Sequence, residues 1–241
     1  MAKQIQRIDS LTLMKRTHAR TVFREAEAMN FVRARTQIPV PAVLNAYVED
    51  PFGYLVMEFV PGEQLDLAWP RMSDGQRKCV VAQLTDYLHQ LRSLAPPDPP
   101  LIGSCSGGPC FDHRISSMKT FGPFTSEEEF HDYLYAAATY GLPPEIARRV
   151  PRQRNGHKIV FTHADFNPTQ ILVDPCDPGR VAAVLDWEMA GWYPDYWEYV
   201  KALICVGPIG RMWREVIKLA ICSYDEEEQI DRALEDYQGV A

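Results

Sequence analysis

The 241 residues contain no run of 18 apolar residues, and the opening MAKQIQRIDSLTLMK carries no apolar stretch of signal-peptide length. A cytoplasmic protein without a membrane partner is therefore expected. Cationic excess is missing as well. Lys and Arg number 25 against 32 Asp and Glu, a formal charge of −7, which argues against a general binder of nucleic acid or anionic surfaces. The six cysteines, Cys79, Cys105, Cys110, Cys176, Cys205 and Cys222, include no C-x-x-C pair, and free thiols in a reducing compartment are the expectation. Cys105 and Cys110 leave open a disulfide or half a metal site, but no second His/Cys pair has ligand spacing. Ser116 and Ser117 lack a G-x-S-x-G frame, so nothing points to a serine hydrolase. There is no internal repeat or low-complexity tract, and no glycine precedes Gly53.

What is present is a globular composition, 46% hydrophobic and 24% charged, in a chain long enough to bury a core unaided as one large domain or two small lobes. Nineteen prolines predict many short connections. The apolar run Leu11–Met14 predicts a strand leading into Lys15. The next segment, TVFREAEAMNFVRART, predicts a helix with Val22, Ala26, Met29 and Val32 on one stripe. Glu25 lies inside that stripe and Glu27 well off it, so Glu25 needs a partner, either Lys15 or a nearby arginine such as Arg33. Pro39 and Pro41 hold the following segment extended. Tyr54–Val60 predicts a strand entered through a Phe52-Gly53 turn, and Pro61-Gly62 marks a lobe boundary. Beyond it the pattern turns helical. Ser73 can cap a helix on which Val80, Val81, Leu84, Leu88 and Leu91 recur at helical spacing, and residues 101–125 read as a loop. A second helix is expected to start at Thr125 with Glu128 as its capping-box partner, turning Phe130, Leu134 and Ala137 inward. KIVFTH is a strand, ILVD and VAAVLD form a hairpin, and helices follow from Tyr196.

The densest polar cluster in apolar surroundings is VFTHADFNPTQILVD followed by VLDWEMAG. Asp165 follows a strand in a His-x-Asp turn, and Asp186 ends the next apolar run. Carboxylates at strand ends are fixed by the strands yet open to ligand, which suits metal or proton chemistry. Taken singly, each acid is an ordinary turn former and His163 an ordinary backbone partner. The run Arg148, Arg149, Arg152, Arg154, His157 and Lys158 reads as a solvated face. The aromatics of GWYPDYWEY and Trp187 read as packing, and Glu198 as the partner of a basic group.

These two segments resemble the catalytic and metal-binding segments of the aminoglycoside phosphotransferase and choline-kinase-like family, with the nearest likeness to its fungal small-molecule kinases. REAEAMNFVRARTQIPVPAVL and YLVMEFVPGEQL resemble that family's N-lobe helix and inter-lobe hinge. The likeness runs from about Leu11 to the end. It implies a two-lobed, protein-kinase-like α+β fold. A truncated N-lobe would occupy residues 1–60, with a hinge at about 57–62, and a mainly helical C-lobe residues 61–241. It also implies ATP- and Mg²⁺-dependent phosphoryl transfer to a small-molecule hydroxyl. In that scheme Lys15 grips the nucleotide phosphates and Glu25 orients it. Backbone groups of Glu58 and Val60 hold adenine. Asp165, with His163 in its turn, is the catalytic acid–base element, and Asp186 and Gln170 hold metal.

Two departures accompany the resemblance. The family's second metal ligand is an asparagine where this chain has Gln170, whose extra methylene moves the donor by roughly 1.5 Å in a site intolerant of about 1 Å. The glycine-rich phosphate loop has no counterpart before Lys15, where only 14 residues precede and two strands with a hairpin are not expected to fit. A second reading is therefore a pseudokinase that binds or scaffolds, and a third is metal-assisted hydrolysis without ATP. Acceptor identity and oligomeric state leave no mark in the sequence.

Overall fold

A computed structural model describes residues 4–115, 119–204 and 209–238; Ser116, Ser117 and Cys205 lie outside the described residues. The chain opens with β1 (Gln4–Arg7), β2 (Thr12–His18), α1 (Val22–Arg35), β3 (Val43–Glu49) and β4 (Phe52–Glu58). The four strands form one antiparallel sheet in the order β1-β2-β4-β3. Alternation along β2 and β4 turns Leu13, Lys15 and Thr17, with Gly53, Leu55 and Met57, toward the side that α1 covers. α1 answers with Val22, Ala26, Ala28, Met29 and Val32, all buried, and Glu25 among them.

Three local expectations change here. The predicted strand extends from Thr12 to His18, and an all-exposed β1 pairs with it. The connection needs no glycine, because Asp9 Oδ1 accepts the Leu11 N–H at 2.7 Å and closes the turn. The turn before β4 falls at Asp50-Pro51 instead of Phe52-Gly53. Gly53 is needed for another reason: a Cβ there would lie 2.6 Å from Val22 Cβ and 2.9 Å from the His18 carbonyl.

The rest of the chain runs β5 (Glu63–Gln64), α2 (Leu65–Ala68), α3 (Asp74–Arg92), β6 (Gly103–Ser104), β7 (Cys110–Phe111), β8 (Thr120–Phe121), α4 (Glu127–Thr139), α5 (Pro144–Ala147), β9 (Ile159–Thr162), β10 (Ile171–Val173), β11 (Val181–Val184), β12 (Gly191–Pro194), α6 (Trp197–Leu203), α7 (Gly210–Ala220) and α8 (Asp225–Gln238). β10 and β11 make the expected antiparallel hairpin, with β5 added on its far side, and β12 pairs with both β9 and β6. The segment taken for a loop at 101–125 thus holds three short strands. Ser73 does cap α3, in a capping box with Gln76, a motif worth about 1 kcal/mol. The α4 cap shifts by one residue: Ser126 accepts the Glu129 N–H, while the Glu129 carboxylate reaches back to Thr125. Ala138, and not Ala137, is buried on that helix.

The aromatic run is core, as expected. Trp187, Tyr193, Tyr196, Trp197, Tyr199 and Trp213 are fully buried with Phe130, Phe161 and Phe166, and edge-to-face contacts such as Phe130–Trp197 at 5.2 Å order them. Phe161 and Tyr193 of this mass belong to β9 and β12, and it packs against the two polar turns through Trp187, 4.4 Å from the His163 ring, and Trp213, 5.8 Å from Phe166. The basic run is a solvated face, as expected: Arg148, Arg149, Arg152, Arg154 and Lys158 are exposed, Arg152 and Arg154 meet Asp132 and Glu226 at the surface, and His157 alone is drawn inward, against Glu127. Among the described residues Cys79, Cys105, Cys110, Cys176 and Cys222 are free thiols, and no helix is long and apolar enough to cross a membrane.

Candidate active site

Lys15 lies mid-strand in β2, opposite Leu55, and is buried under α1. Its ammonium donates to both Glu25 oxygens, at 2.7 and 2.8 Å, and to Asp186 Oδ1 at 2.8 Å. Glu25 therefore pairs with Lys15. Arg33 instead donates to the Val40 carbonyl at 2.6 Å and lies 3.9 Å from Glu58. Burial pulls the Lys15 pKa down, but the carboxylates of Glu25, Asp186 and Glu188 outweigh it and hold the lysine above its usual range. Burial pushes the Glu25 carboxyl up, to about 7, against the pull of Lys15. Glu25, Asp186 and Glu188 each place a carboxylate oxygen within 4.8 Å of the others. Such a hard, all-oxygen donor set suits Mg²⁺.

Asp186 follows β11 with φ 66° and ψ 61°, a left-handed conformation uncommon outside glycine. The turn Trp187–Met189 comes next, fixed by the Trp187 indole donating to the Val184 carbonyl at 2.9 Å. The second polar turn follows β9. Ala164 there is the other described non-glycine residue with positive φ, 62°. His163 Nδ1 accepts the Asp165 N–H at 3.2 Å, which leaves the proton on Nε2 to reach the Leu185 carbonyl at 2.9 Å. Burial, opposed by that carbonyl, drives the imidazole down to about 4, so it is neutral at physiological pH. The histidine thus ties the Asp165 turn to the residue before Asp186.

Both Asp165 oxygens are engaged by amides: Asn167 Nδ2 donates to Oδ1 at 3.0 Å and Gln170 Nε2 to Oδ2 at 3.0 Å. Gln170 also accepts the Leu185 N–H on its backbone carbonyl at 2.8 Å. The structure thus brings Lys15, Glu25 and Asp186 into direct contact, and joins Asp165, His163 and Gln170 in one hydrogen-bonded turn. Glu58 and Val60 stand apart, at the exit of β4. The Glu58 N–H donates to the Ala42 carbonyl at 2.9 Å.

Glu198 in α6 makes no hydrogen bond or ion pair to a basic side chain among the described residues, Arg92 acting on it only electrostatically; its carboxylate accepts the buried N–H groups of His163 at 2.6 Å and Ala164 at 3.1 Å. Burial raises it to about 7, opposed by those two bonds and by Arg92. Glu188, inside the VLDWEMAG cluster but without a role assigned from sequence, places its Oε1 2.7 Å from His113 Nε2.

The model of a phosphotransferase enzyme family matches residues 7–233. The chain belongs to that family. Its fold is shared with solved members. The gentamicin complex of aminoglycoside phosphotransferase APH(2'')-IIa superposes with a TM-score of 0.60 at 15% identity, over 97% of this chain and 77% of that one. APH(3'')-Id from Streptomyces rimosus, solved with ADP and streptomycin, gives 0.56 at 19%, over 96% and 88%. The GDP and kanamycin complex of an APH(2'') enzyme gives 0.56 at 14%, over 96% and 77%. Among curated proteins, subtelomeric hrmA-associated cluster proteins from two strains of Aspergillus fumigatus are 29% identical over 119 residues, 46% of this chain. The match spans 23% of the length of those relatives. The two-lobed α+β fold of the family, a small sheet with one helix followed by a mainly helical lobe, is therefore that of this protein.

Proposed function

We propose that the protein transfers the γ-phosphoryl group of ATP to a hydroxyl of a small molecule. The observation that carries this reading is Lys15, whose ammonium meets Glu25 and, 171 residues away, Asp186 within 2.8 Å. That pairing of lysine, helix acid and strand-end acid is what charge neutralisation on a triphosphate requires. Family membership supports it, as do solved relatives that hold ADP with streptomycin or GDP with kanamycin.

In this reading two of the three Lys15 donors stay on Glu25 while the third passes from Asp186 to the nucleotide phosphates. Asp186 then offers its carboxylate to Mg²⁺, with Glu188 within reach. Gln170 can join only through Oε1, because its Nε2 holds Asp165. Bound there, Mg²⁺ would supply neutralisation of the phosphate charge. Asp165 receives the acceptor hydroxyl proton as the new oxygen–phosphorus bond forms and the bond to the β-phosphate oxygen breaks, releasing ADP. Asn167 and Gln170 aim its two oxygens, and His163 acts as a positioning residue. We place adenine at the backbone of Glu58 and Val60, and the lobe boundary between β4 and β5.

Incubation with γ-labelled ATP, Mg²⁺ and a panel of aminoglycosides, amino alcohols and polyols tests the reading. Label should pass to at least one hydroxyl compound, and Asp165→Asn should cut the rate by a factor of about 100 or more. Absence of both transfer and nucleotide binding would refute it.

A further inference from the structure

Arg24 precedes Glu25 on α1 and plays no part in the reaction outlined above, yet its guanidinium is the busiest on the helix. Nε donates to the Glu188 carbonyl at 3.1 Å, Nη2 to the Ala190 carbonyl at 3.3 Å, and Nη1 to the Pro109 carbonyl. Glu188 lies within the turn Trp187–Met189 that follows Asp186, and Ala190 caps it. Pro109 belongs to the segment that also sends Ser106 Oγ to Glu27 at 2.9 Å. Two charged positions of α1, 24 and 27, are thus tied directly to the other lobe, and Glu25 between them reaches it through Lys15. Only a guanidinium has donors spread widely enough to serve three carbonyls from two segments at once.

We propose that Arg24 is a positioning residue that locks α1 onto the turn carrying Asp186, so that the Lys15–Glu25 pair and the metal-binding acid move as one unit. Asp186 is then held twice from the same helical turn, through Lys15–Glu25 at its side chain and through Arg24 at the backbone two and four residues on. The Arg24 contacts add a hold from α1 to a turn that the Trp187 indole already ties to the Val184 carbonyl from its own side. Its functional consequence rests on the phosphotransferase reading; the mechanical coupling does not.

The test uses Arg24→Gln and Arg24→Lys in the full chain, with two readouts. Amide hydrogen exchange should quicken by about tenfold in Arg24→Gln over residues 22–28 and 187–190, with Arg24→Lys between it and the parent protein. ADP affinity measured by calorimetry in Mg²⁺ should fall about tenfold, while affinity in EDTA stays within twofold, because the lock serves the metal-bearing turn. Unchanged exchange at 187–190, or equal loss of affinity with and without Mg²⁺, overturns the proposal. If the parent protein binds no ADP in Mg²⁺, the phosphotransferase reading fails, and the exchange measurement decides the lock alone.

Discussion

Removing the Glu198 carboxylate should damage the catalytic turn more than any substitution on the turn's own surface. The two amides it serves, on His163 and Ala164, are buried, and its side-chain oxygens accept them at 2.6 and 3.1 Å. Glu198→Ala strands both donors at about 1–3 kcal/mol each, and relief of the buried carboxylate offsets part of that. A net loss of about 2–5 kcal/mol follows, or roughly 4–20 °C in melting temperature for a domain of this size. The pH dependence has a definite sign. Burial raises folded Glu198 to about 7, above its unfolded value of about 4.3, so the stability this group contributes is full below the unfolded value. It is lost as pH rises through about 7. Glu198→Gln cannot titrate and keeps one acceptor, so its urea midpoint should lack that decline between about pH 4.5 and 7. Turnover should fall in both variants, because a displacement of about 1 Å at Asp165 costs about 100-fold. Urea titrations at a series of pH values, with kcat beside them, check this. A Glu198→Ala loss below about 1 kcal/mol, or an unchanged pH slope in Glu198→Gln, would refute the reasoning.

His163 should tilt stability the other way: its folded value near 4 means that its contribution is intact above about 6.5 and is lost as pH falls toward 4. His163→Phe should flatten that acid limb in the same titrations and lower kcat, having no acceptor for the Asp165 amide. Lys15→Met leaves Glu25, Asp186 and Glu188 crowded without their cation, a loss of about 3–5 kcal/mol at neutral pH by thermal melting. Added Mg²⁺ should return part of it, and the same addition should do less for the parent protein. Gln170→Met removes the Nε2 donor to Asp165 Oδ2, and kcat should fall about tenfold or more with nucleotide KM within twofold, read by steady-state kinetics.

Glu25 was legible from sequence because an acid inside an apolar stripe breaks a period of 3.6, and burial forces such an acid to find a cation. Its partner could not be chosen between Lys15 and Arg33 until β2 and α1 were set against each other. Glu198 breaks no period: every residue of α6 is buried, so no stripe exists for an acid to violate. Its partners are also main-chain amides 34 and 35 residues away, which no side-chain pattern announces. Arg24 escaped for the same reason, since carbonyls carry no sequence label. Gly53 shows the opposite error. A glycine after an aspartate-proline pair suggests a turn, but here it is required by the approach of Val22 to the sheet. The all-exposed β1 had no alternation to detect. Periodicity thus reported the packed faces well, and the contacts that cross between lobes through the main chain were silent.

Those silent contacts converge on the two strained residues. Ala164 and Asp186 each hold a left-handed conformation that costs an ordinary residue about 1–2 kcal/mol. Neither can be relaxed cheaply, because neighbours determine it from both sides. Glu198 binds the amides at 163 and 164, and His163 bridges the Asp165 amide to the Leu185 carbonyl. Gln170 receives the Leu185 amide on its own carbonyl and gives its side chain to Asp165. Leu185 is therefore grasped at both its donor and its acceptor by the turn that carries Asp165, one residue before Asp186. The separation of the two acids is set by main-chain bonds and not by loop length, so a change at Leu185 that preserved its backbone would leave that separation intact. A change to His163 would alter it while leaving both acids in place, whereas a change to Gln170 would keep its main-chain bond to Leu185 and lose only the side-chain bond to Asp165.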